Sequence, residues 1–223
     1  MSAARAGRDI LAVVPVKDFA LAKQRLSGAF PPSFRHALAR AMLCDVLIAL
    51  RGAEAIAGIV VVTADPEAGL LAGEYGARLL FEGAVRGLNP AVAQAGAYLA
   101  AERRSGMLVV PSDIPAVTSD EIARLVAAHP PGRAVSVVPA HDREGTNALV
   151  VSPPDGLRFS FGPLSFPMHL ANAREAQAAL QVHELAQFPG LARDIDRPED
   201  LARLDRLPPG SHTRRLLAEQ GMA

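Results

Sequence analysis

Hydrophobic residues in this chain fall into short continuous runs that are separated by polar turns. Runs of this kind, rich in valine, isoleucine and leucine, predict strands that are buried on both faces of a sheet. The predicted strands are residues 10–16, 58–63, 77–81, 107–110, 134–139, 148–152 and 182–185.

Longer segments with helical spacing of apolar residues lie between these runs. The predicted helices are residues 34–51, 65–75, 89–104, 120–129, 166–180 and 198–207. Ser33 is expected to cap the first helix. Pro90 stands in a first turn, where its missing N–H costs least, and Asp120 and Glu121 make another first turn acidic.

Strands and helices alternate through the first half of the chain, which predicts an α/β fold with a doubly wound, mostly parallel sheet. The C-terminal half is less regular, because two strands follow each other before the next helix. We expect a single domain over residues 1–223. The segment 208–223, rich in alanine and arginine, is expected to be a loosely packed tail.

Composition excludes several classes of protein. The 23 basic and 23 acidic residues give a net charge of +0, whereas a general nucleic-acid binder needs a basic excess. Residues 1–9 lack the apolar segment of a signal peptide, and no apolar stretch reaches the ~20 residues of a membrane span. The single cysteine, Cys44, reads as a core thiol. We expect a cytoplasmic protein with no nucleic-acid or membrane partner, for which a homodimer is one possible assembly.

A basic loop directly follows the first predicted strand, at the sheet edge where α/β proteins bind ligands. It contains Lys17, Lys23 and Arg25, which could neutralise a triphosphate. A solvated loop that happens to be basic is an equally good interpretation of the residues alone. The loop matches neither the dinucleotide-binding fingerprint nor the P-loop.

Three aspartates are candidate metal ligands. Asp113 follows a buried strand in a turn bracketed by prolines, and Mg²⁺ prefers one or two carboxylates together with substrate phosphates. Asp194 and Asp196 share one side of an extended segment, and such a pair repels unless a cation lies nearby. The alternatives are ordinary structural roles: Asp113 as a turn residue, and Asp196 as the cap of the helix that begins at Pro198.

A fourth segment could hold an anionic acceptor. Thr146 precedes a strand, and Gly162 and Ser165 precede a helix. Free backbone N–H groups at that helix start, with the two hydroxyls, would suit a phosphate or carboxylate. A capped helix and an ordinary turn are the competing interpretation. His169 lies one helical turn beyond Ser165 and could face the same pocket.

Taken in order, these segments resemble the guanylyltransferases of deazaflavin (coenzyme F-420) biosynthesis. The resemblance covers roughly residues 10 to 206 and rests on the ordered set Val14-Pro15-Val16-Lys17, Ala22-Lys23-Gln24-Arg25-Leu26, Thr63-Ala64-Asp65-Pro66, Gly87-Leu88-Asn89, Ser112-Asp113-Ile114-Pro115, Gly145-Thr146-Asn147-Ala148-Leu149, Phe161-Gly162-Pro163-Leu164-Ser165-Phe166 and Asp194-Ile195-Asp196. Members of that family take 2-phospho-L-lactate, phosphoenolpyruvate or 3-phospho-D-glycerate.

The resemblance implies a fold of the nucleotidyltransferase (molybdopterin-guanylyltransferase-like) type and a role for each matched residue. Residues 10–115 would form the nucleotide-binding half and residues 116–207 the acceptor-binding half. The implied GTP-binding residues are Lys17, Lys23, Arg25 and Asn89, and the implied Mg²⁺ ligands are Asp113 with Asp194 or Asp196. Lys17, Lys23 and Asp113 would be catalytic, and Thr146, Gly162 and Ser165 would hold the phospho-acid. The chain departs from the family at Ser112, where alanine is frequent, and at Leu164, where glycine is frequent.

The implied reaction is attack by a phosphate oxygen of the small phosphorylated carboxylic acid on the α-phosphorus of GTP, with release of pyrophosphate. A phosphate monoester is largely a dianion at neutral pH, since its second pKa is about 6, so no general base is required. Two rivals stay open: a molybdopterin or sugar-phosphate nucleotidyltransferase of the same fold, and a non-catalytic nucleotide-binding module. The absence of glycine from residues 17–26 counts against the first rival.

Overall fold

Strands and helices alternate along the chain in a computed structural model that describes residues 9–83, 87–201 and 207–222. The strands are β1 (Ile10–Pro15), β2 (Ile59–Thr63), β3 (Arg78–Phe81), β4 (Gly106–Val109), β5 (Ala134–Pro139), β6 (Thr146–Ser152) and β7 (Ala179–Val182). The α-helices are α1 (Pro32–Arg51), α2 (Pro66–Glu74), α3 (Leu88–Ala101), α4 (Ser119–Ala128), α5 (Ser165–Glu175) and α6 (His212–Glu219).

The described strands form one sheet in the order β3-β2-β1-β4-β6-β5-β7. Neighbours pair in parallel except at β6, which runs antiparallel to both β4 and β5. The strand order reverses direction at β1, because β2 lies on one side of it and β4 on the other. A reversal of this kind opens a crevice at the carboxyl ends of the two strands, where α/β proteins bind ligands. The predicted mostly parallel, doubly wound α/β fold is confirmed.

Helices cover both faces of the sheet. Alternate residues of β1 point to opposite faces, so that Ala12 and Val14 pack with α1, α2 and α4, whereas Leu11 and Val13 pack with α3 and α5. This two-sided burial explains why the strands read as continuous apolar runs rather than alternating ones. No helix in the described ranges combines the length and apolarity needed to cross a membrane.

Two boundaries differ from those expected. Helix α1 begins at Pro32 without a side-chain cap, so the expected capping by Ser33 is wrong. Helix α5 ends at Glu175 rather than at residue 180, and the strand after it is Ala179–Val182 rather than residues 182–185. Gln177 causes this shift, since its left-handed conformation, with φ 53°, ends the helix and turns the chain into β7.

The C-terminal segment is packed rather than loose. Asp45 of α1 accepts hydrogen bonds from the backbone N–H groups of His212 and Thr213, which caps α6 from a neighbouring helix. Leu217 of α6 is fully buried, in an apolar cluster with α1. Of the helix expected at residues 198–207, residues 198–201 form a 3-10 turn, and residues 202–206 lie outside the described residues.

Candidate functional site

The candidate site lies at the carboxyl ends of β1 and β4, where the strand order reverses. β1 leads into the basic loop, and β4 leads into the turn that carries Asp113. Because β6 runs antiparallel to β4, with Leu149 opposite Val109, the beginning of β6 lies at this same edge. The sheet therefore brings Thr146 to the side on which the basic loop and Asp113 lie.

The basic loop and the predicted metal aspartates are in direct contact. The Lys23 ammonium donates to Asp113 Oδ2 at 2.7 Å and lies 3.5 Å from Asp196 Oδ1. The Arg25 guanidinium pairs with the other oxygen of Asp196. Lys23 has a side chain that is only 7% exposed, whereas that of Arg25 is 66% exposed. Residues that the sequence places in two separate groups thus form one buried-to-surface ion cluster.

Backbone and apolar contacts hold the acidic segment, Asp194-Ile195-Asp196, against this cluster. The Ile195 N–H donates to the Asp113 carbonyl oxygen at 2.9 Å. The Ile195 side chain packs with Leu26, the residue after Arg25, in a buried apolar cluster. Since alternate side chains of an extended segment point to opposite sides, burial of Ile195 turns Asp194 and Asp196 toward the site.

With Asp194 included, the described residues of the cluster comprise three carboxylates and two cationic groups, so negative charge exceeds positive charge among them. Burial acts to lower the pKa of Lys23, but the Asp113 carboxylate, with smaller contributions from Asp196 and Asp194, outweighs burial and raises that pKa. Lys23 is therefore a firmly charged ammonium. Burying charged groups is costly unless they are paired, and the short contact between Lys23 and Asp113 provides that pairing.

Asp194, unlike Asp113 and Asp196, forms no ion pair with Lys23 or Arg25. Burial and the negative charge of Asp113 raise its pKa, and a hydrogen bond from the Asn147 amide at 3.3 Å offsets this only in part. An approaching cation would relieve the repulsion between these two carboxylates. Asn147 was not among the predicted site residues, although it stands beside Thr146 in a matched motif.

The donor set fits a magnesium ion that is held mainly by its substrate. Within the described ranges, no group of three or more Asp, Glu, His or Cys side chains is arranged to hold a metal. One or two carboxylates is the number that Mg²⁺ prefers when phosphates and waters complete its shell. Asp194, together with Asp113, would supply that pair of oxygen donors.

Two predicted nucleotide-binding residues have different surroundings. Lys17 is exposed and forms no ion pair within the described part of the chain. Asn89 uses its side-chain amide on the backbone of Phe161: its oxygen accepts from the Phe161 N–H at 2.6 Å, and its nitrogen donates to the Phe161 carbonyl at 3.0 Å. Asn89 thus ties the start of α3 to the segment before α5, a structural role that its motif did not indicate.

Thr146 is held by a fully buried histidine. His169 Nε2 accepts the Ser160 N–H at 3.1 Å, so Nε2 carries no proton. Nδ1 must then hold the ring proton and donate it to Thr146 Oγ1, which lies at 3.0 Å. The Thr146 hydroxyl hydrogen is consequently left to donate elsewhere. His169, which the sequence suggested only as a possible neighbour of Ser165, fixes this arrangement.

Acidification should remove stability because His169 is buried as a neutral ring. Burial lowers its pKa to about 4, below the value of about 6.5 expected in the unfolded chain. The unfolded state therefore takes up more protons between these values. Above about pH 6.5 His169 is neutral in both states and costs no stability. As pH drops toward 4, the free energy of unfolding falls by at most about 1.4 kcal/mol per pH unit. Urea denaturation at pH 7 and pH 5 measures this loss of stability. The loss should be smaller in His169→Gln, and a loss equal to that of the wild type would contradict the assignment.

The start of α5 is not a set of free backbone donors, contrary to expectation. The Ser165 N–H donates to the Gly162 carbonyl, the Phe166 N–H donates to the Glu144 carbonyl, and Pro167 has no N–H. Ser165 is 2% exposed, and its hydroxyl has no hydrogen-bond partner among the described residues. The hydroxyls of Thr146 and Ser165, rather than the helix terminus, are thus the donors that an acceptor could meet.

Leu164, which stands where glycine is frequent in the family that the sequence resembles, adopts a left-handed backbone conformation. Its φ of 56° and ψ of 28° are left-handed, and its side chain is 54% exposed. This conformation destabilises a non-glycine residue by about 1–2 kcal/mol. Glycine would remove that strain, but part of the gain would be lost because glycine makes the unfolded chain more flexible. We expect Leu164→Gly to raise the unfolding free energy by roughly 0.5–1 kcal/mol in urea, whereas Leu164→Ala, which keeps the strain, should not.

A buried glutamate missed by the sequence interpretation anchors the acidic segment. Glu121 completes a capping box with Thr118 at the start of α4. Its other oxygen accepts the Gly190 N–H at 2.7 Å, and a Cβ at position 190 would collide with the Ala116 carbonyl and with Glu121. Glu121 thereby links the helix that follows Asp113 to the segment that precedes Asp194. The capping box is visible in the sequence, but its bond to Gly190 is not.

The sequence of the chain is similar to that of known proteins. The family model described as "Guanylyl transferase CofC like" matches residues 10–222. A phosphoenolpyruvate guanylyltransferase from Roseiflexus sp. (strain RS-1) is 40% identical over 93% of this chain and 90% of its own length. A 2-phospho-L-lactate guanylyltransferase from Methanothermobacter thermautotrophicus is 34% identical over 92% of this chain and 88% of its own length.

Solved structures share the fold at low sequence identity. A crystal structure from Desulfovibrio desulfuricans G20, named as a nucleotide-diphospho-sugar transferase, superposes with a TM-score of 0.74 at 16% identity and covers 96% of each chain. Glucosyl-3-phosphoglycerate synthase from Mycobacterium tuberculosis, solved with Mn²⁺, uridine diphosphate and phosphoglyceric acid, has a TM-score of 0.58 at 15% identity and covers 98% of this chain and 79% of its own. These likenesses concern the fold.

Proposed function

The chain belongs to the CofC-like guanylyl transferase family and is a nucleotidyltransferase, and from this premise we propose that it transfers GMP from GTP to phosphoenolpyruvate in coenzyme F-420 biosynthesis. Pyrophosphate is the second product. The observation that carries the proposal is the ion cluster of Lys23, Arg25, Asp113 and Asp196, which lies at the crevice between β1 and β4. Two cationic side chains lie there beside two carboxylates, which supports a site in which the cations would bind phosphate oxygens and the carboxylates a metal, as transfer from a nucleoside triphosphate requires.

The nucleotide side of the site neutralises the triphosphate. Lys17 is exposed and available to phosphate oxygens, and Lys23 and Arg25 add a compact charge and a planar fork. Asp113, with Asp194 or Asp196, would hold Mg²⁺. When bound, this ion neutralises the charge that develops on the phosphates. Residues 10–115 would thus form the nucleotide-binding half.

The acceptor side orients an anion that is already nucleophilic. A phospho-acid has a phosphate pKa of about 6 and needs no general base at neutral pH. His169 agrees with this, since it is buried, neutral and occupied by Ser160 and Thr146. The Thr146 and Ser165 hydroxyls would donate to the phospho-acid. Gly162, with φ 125° and no atom near the position of a Cβ, leaves open space beside them.

Phosphoenolpyruvate is placed first because five relatives named for it share 38–40% identity with this chain. Two further relatives named for phosphoenolpyruvate share 36% and 34% identity, and a relative named for 2-phospho-L-lactate shares 34%. The third acid, 3-phospho-D-glycerate, differs in the position of its phosphate.

Pyrophosphate release tests the proposal. Purified protein should release pyrophosphate from GTP and Mg²⁺ when phosphoenolpyruvate is added, faster than with either of the other two acids, and not without an acceptor. ATP, CTP and UTP in the same assay measure guanine selectivity. Release with none of the three acids would end the proposal, and GTP binding without release would favour a nucleotide-binding module.

A further inference from the structure

Lys23 occupies the place that a metal ion would compete for. Its ammonium contacts carboxylate oxygens of two candidate ligands, Asp113 and Asp196. A cation bound to the same oxygens would lie within a few ångströms of this ammonium, where two like charges repel strongly at low dielectric. The ammonium and a divalent ion therefore cannot both keep their full contacts with these carboxylates.

The backbone holds Lys23 in this position at some cost. Lys23 has φ 53° and ψ 42°, a left-handed conformation that is uncommon outside glycine. Its carbonyl oxygen accepts the Leu26 N–H at 2.9 Å, and Leu26 is fully buried. The strained residue is thus pinned by the turn that follows it, which aims the side chain at the aspartates. Strain of this kind persists where the surrounding structure enforces it.

We propose that Lys23 is an internal counter-cation that couples metal binding to nucleotide binding. This inference rests on the proposed function, because it takes the triphosphate as the second ligand. Without nucleotide, the ammonium stays on Asp113 and Asp196 and disfavours a metal ion there. When a triphosphate arrives with its metal, the ammonium moves to a phosphate oxygen, which frees Asp113 to accept the metal.

The chemistry of the lysine side chain suits such an exchange. Its flexible four-carbon stem carries a compact charge with three donors, so it can change partners without moving the backbone. Each partner of the exchange gains an opposite charge: the phosphate gains the ammonium, and Asp113 gains the metal. The binding of either ligand then favours the other by the same factor, because coupling between two sites is reciprocal.

Metal binding in the absence of nucleotide tests the exchange directly. We expect Lys23→Met to bind Mn²⁺ alone about tenfold more tightly than the wild-type chain, as measured from the electron paramagnetic resonance signal of free Mn²⁺. Lys17→Met is the matched control, because Lys17 belongs to the same loop but its charge contacts no described aspartate. Its Mn²⁺ affinity should stay within about twofold of wild type. Unchanged or weaker Mn²⁺ binding by Lys23→Met would overturn the proposal.

A second measurement uses the wild-type chain and does not depend on the folding of a variant. Acetylation of Lys23 by an amine-reactive reagent, followed by mass spectrometry, should be slow without ligands and faster in saturating Mn²⁺, because the displaced ammonium becomes accessible. Protection of Lys23 by Mn²⁺ alone would contradict the exchange. Neither readout needs turnover, so an inactive protein that shows the exchange would refute the proposed function but not this coupling.

Discussion

Replacing Asp113 by alanine is expected to lower turnover by at least about a hundredfold while leaving the fold intact. Asp113 lies between the basic loop and the acidic segment, and its carboxylate is a candidate ligand for the metal. The fold should survive because Lys23 keeps Asp196 as a second partner and because the Ile195 N–H bonds to the backbone of residue 113, which alanine retains. Pyrophosphate release and thermal denaturation measure the two effects.

Asp120→Asn provides the matched control for Asp113→Ala. Its carboxylate is 78% exposed and pairs with Arg124 one helical turn away, and exposed pairs of this kind contribute roughly 0.3–0.5 kcal/mol. Loss of this surface charge should leave turnover unchanged. Retention of more than a few per cent of activity by Asp113→Ala would remove Asp113 from the mechanism, and a comparable loss in Asp120→Asn would indicate a non-specific effect of charge.

Much of the nucleotide side could be predicted because it follows from strand topology. The loop that carries Lys23 follows β1, the turn that carries Asp113 follows β4, and parallel neighbouring strands end at the same edge of a sheet. The contact between Lys23 and Asp113, across 90 residues of sequence, therefore needs only the correct strand order. The alternation of Asp194, Ile195 and Asp196 likewise indicated which side chains share a side. What the pattern could not show is that the cationic loop is bound to these carboxylates.

The acceptor side was harder to predict because its donors depend on tertiary contacts. The Phe166 N–H is used by Glu144, a residue from a turn that sequence spacing does not bring near. The His169 tautomer likewise depends on the Ser160 N–H reaching it from a separate segment. Left-handed conformations at Leu164 and Gln177 carry no glycine signal, so that the start and the end of α5 could not be read from the residue types.

The C-terminal helix was missed for a related reason. Residues 208–223 look polar, but α6 contributes a buried leucine, Leu217, to an apolar cluster with α1 and Ile195. A short helix with so few apolar positions is stabilised mainly by the surface against which it packs. Besides the local cap Ser211, the first N–H groups of α6 donate to Asp45, which belongs to another helix more than a hundred residues earlier in the chain. Because Ile195 shares this cluster, the helix supports the acidic segment of the site.

Asp194→Asn should raise thermal stability while it lowers turnover, and this combination would identify Asp194 as the metal partner of Asp113. Burial and the charge of Asp113 raise the pKa of Asp194, so at neutral pH the ionised carboxylate opposes folding. Asparagine removes that charge and can still accept the Asn147 hydrogen bond. We expect about a hundredfold loss of turnover, with a higher Mg²⁺ concentration needed for half-maximal rate.

Asp196→Asn is the informative counterpart, because the charge of Asp196 is balanced by Lys23 and Arg25. Removing it leaves the Lys23 ammonium with a single close carboxylate, so thermal stability should fall rather than rise. Its effect on the Mg²⁺ requirement should be smaller than that of Asp194→Asn. The reverse ranking, with Asp196→Asn abolishing the Mg²⁺ response and Asp194→Asn leaving it intact, would assign the metal to Asp196. A metal held by Asp113 and Asp194 would leave Asp196 to retain Arg25, so the basic loop would stay anchored if Lys23 turns to the nucleotide.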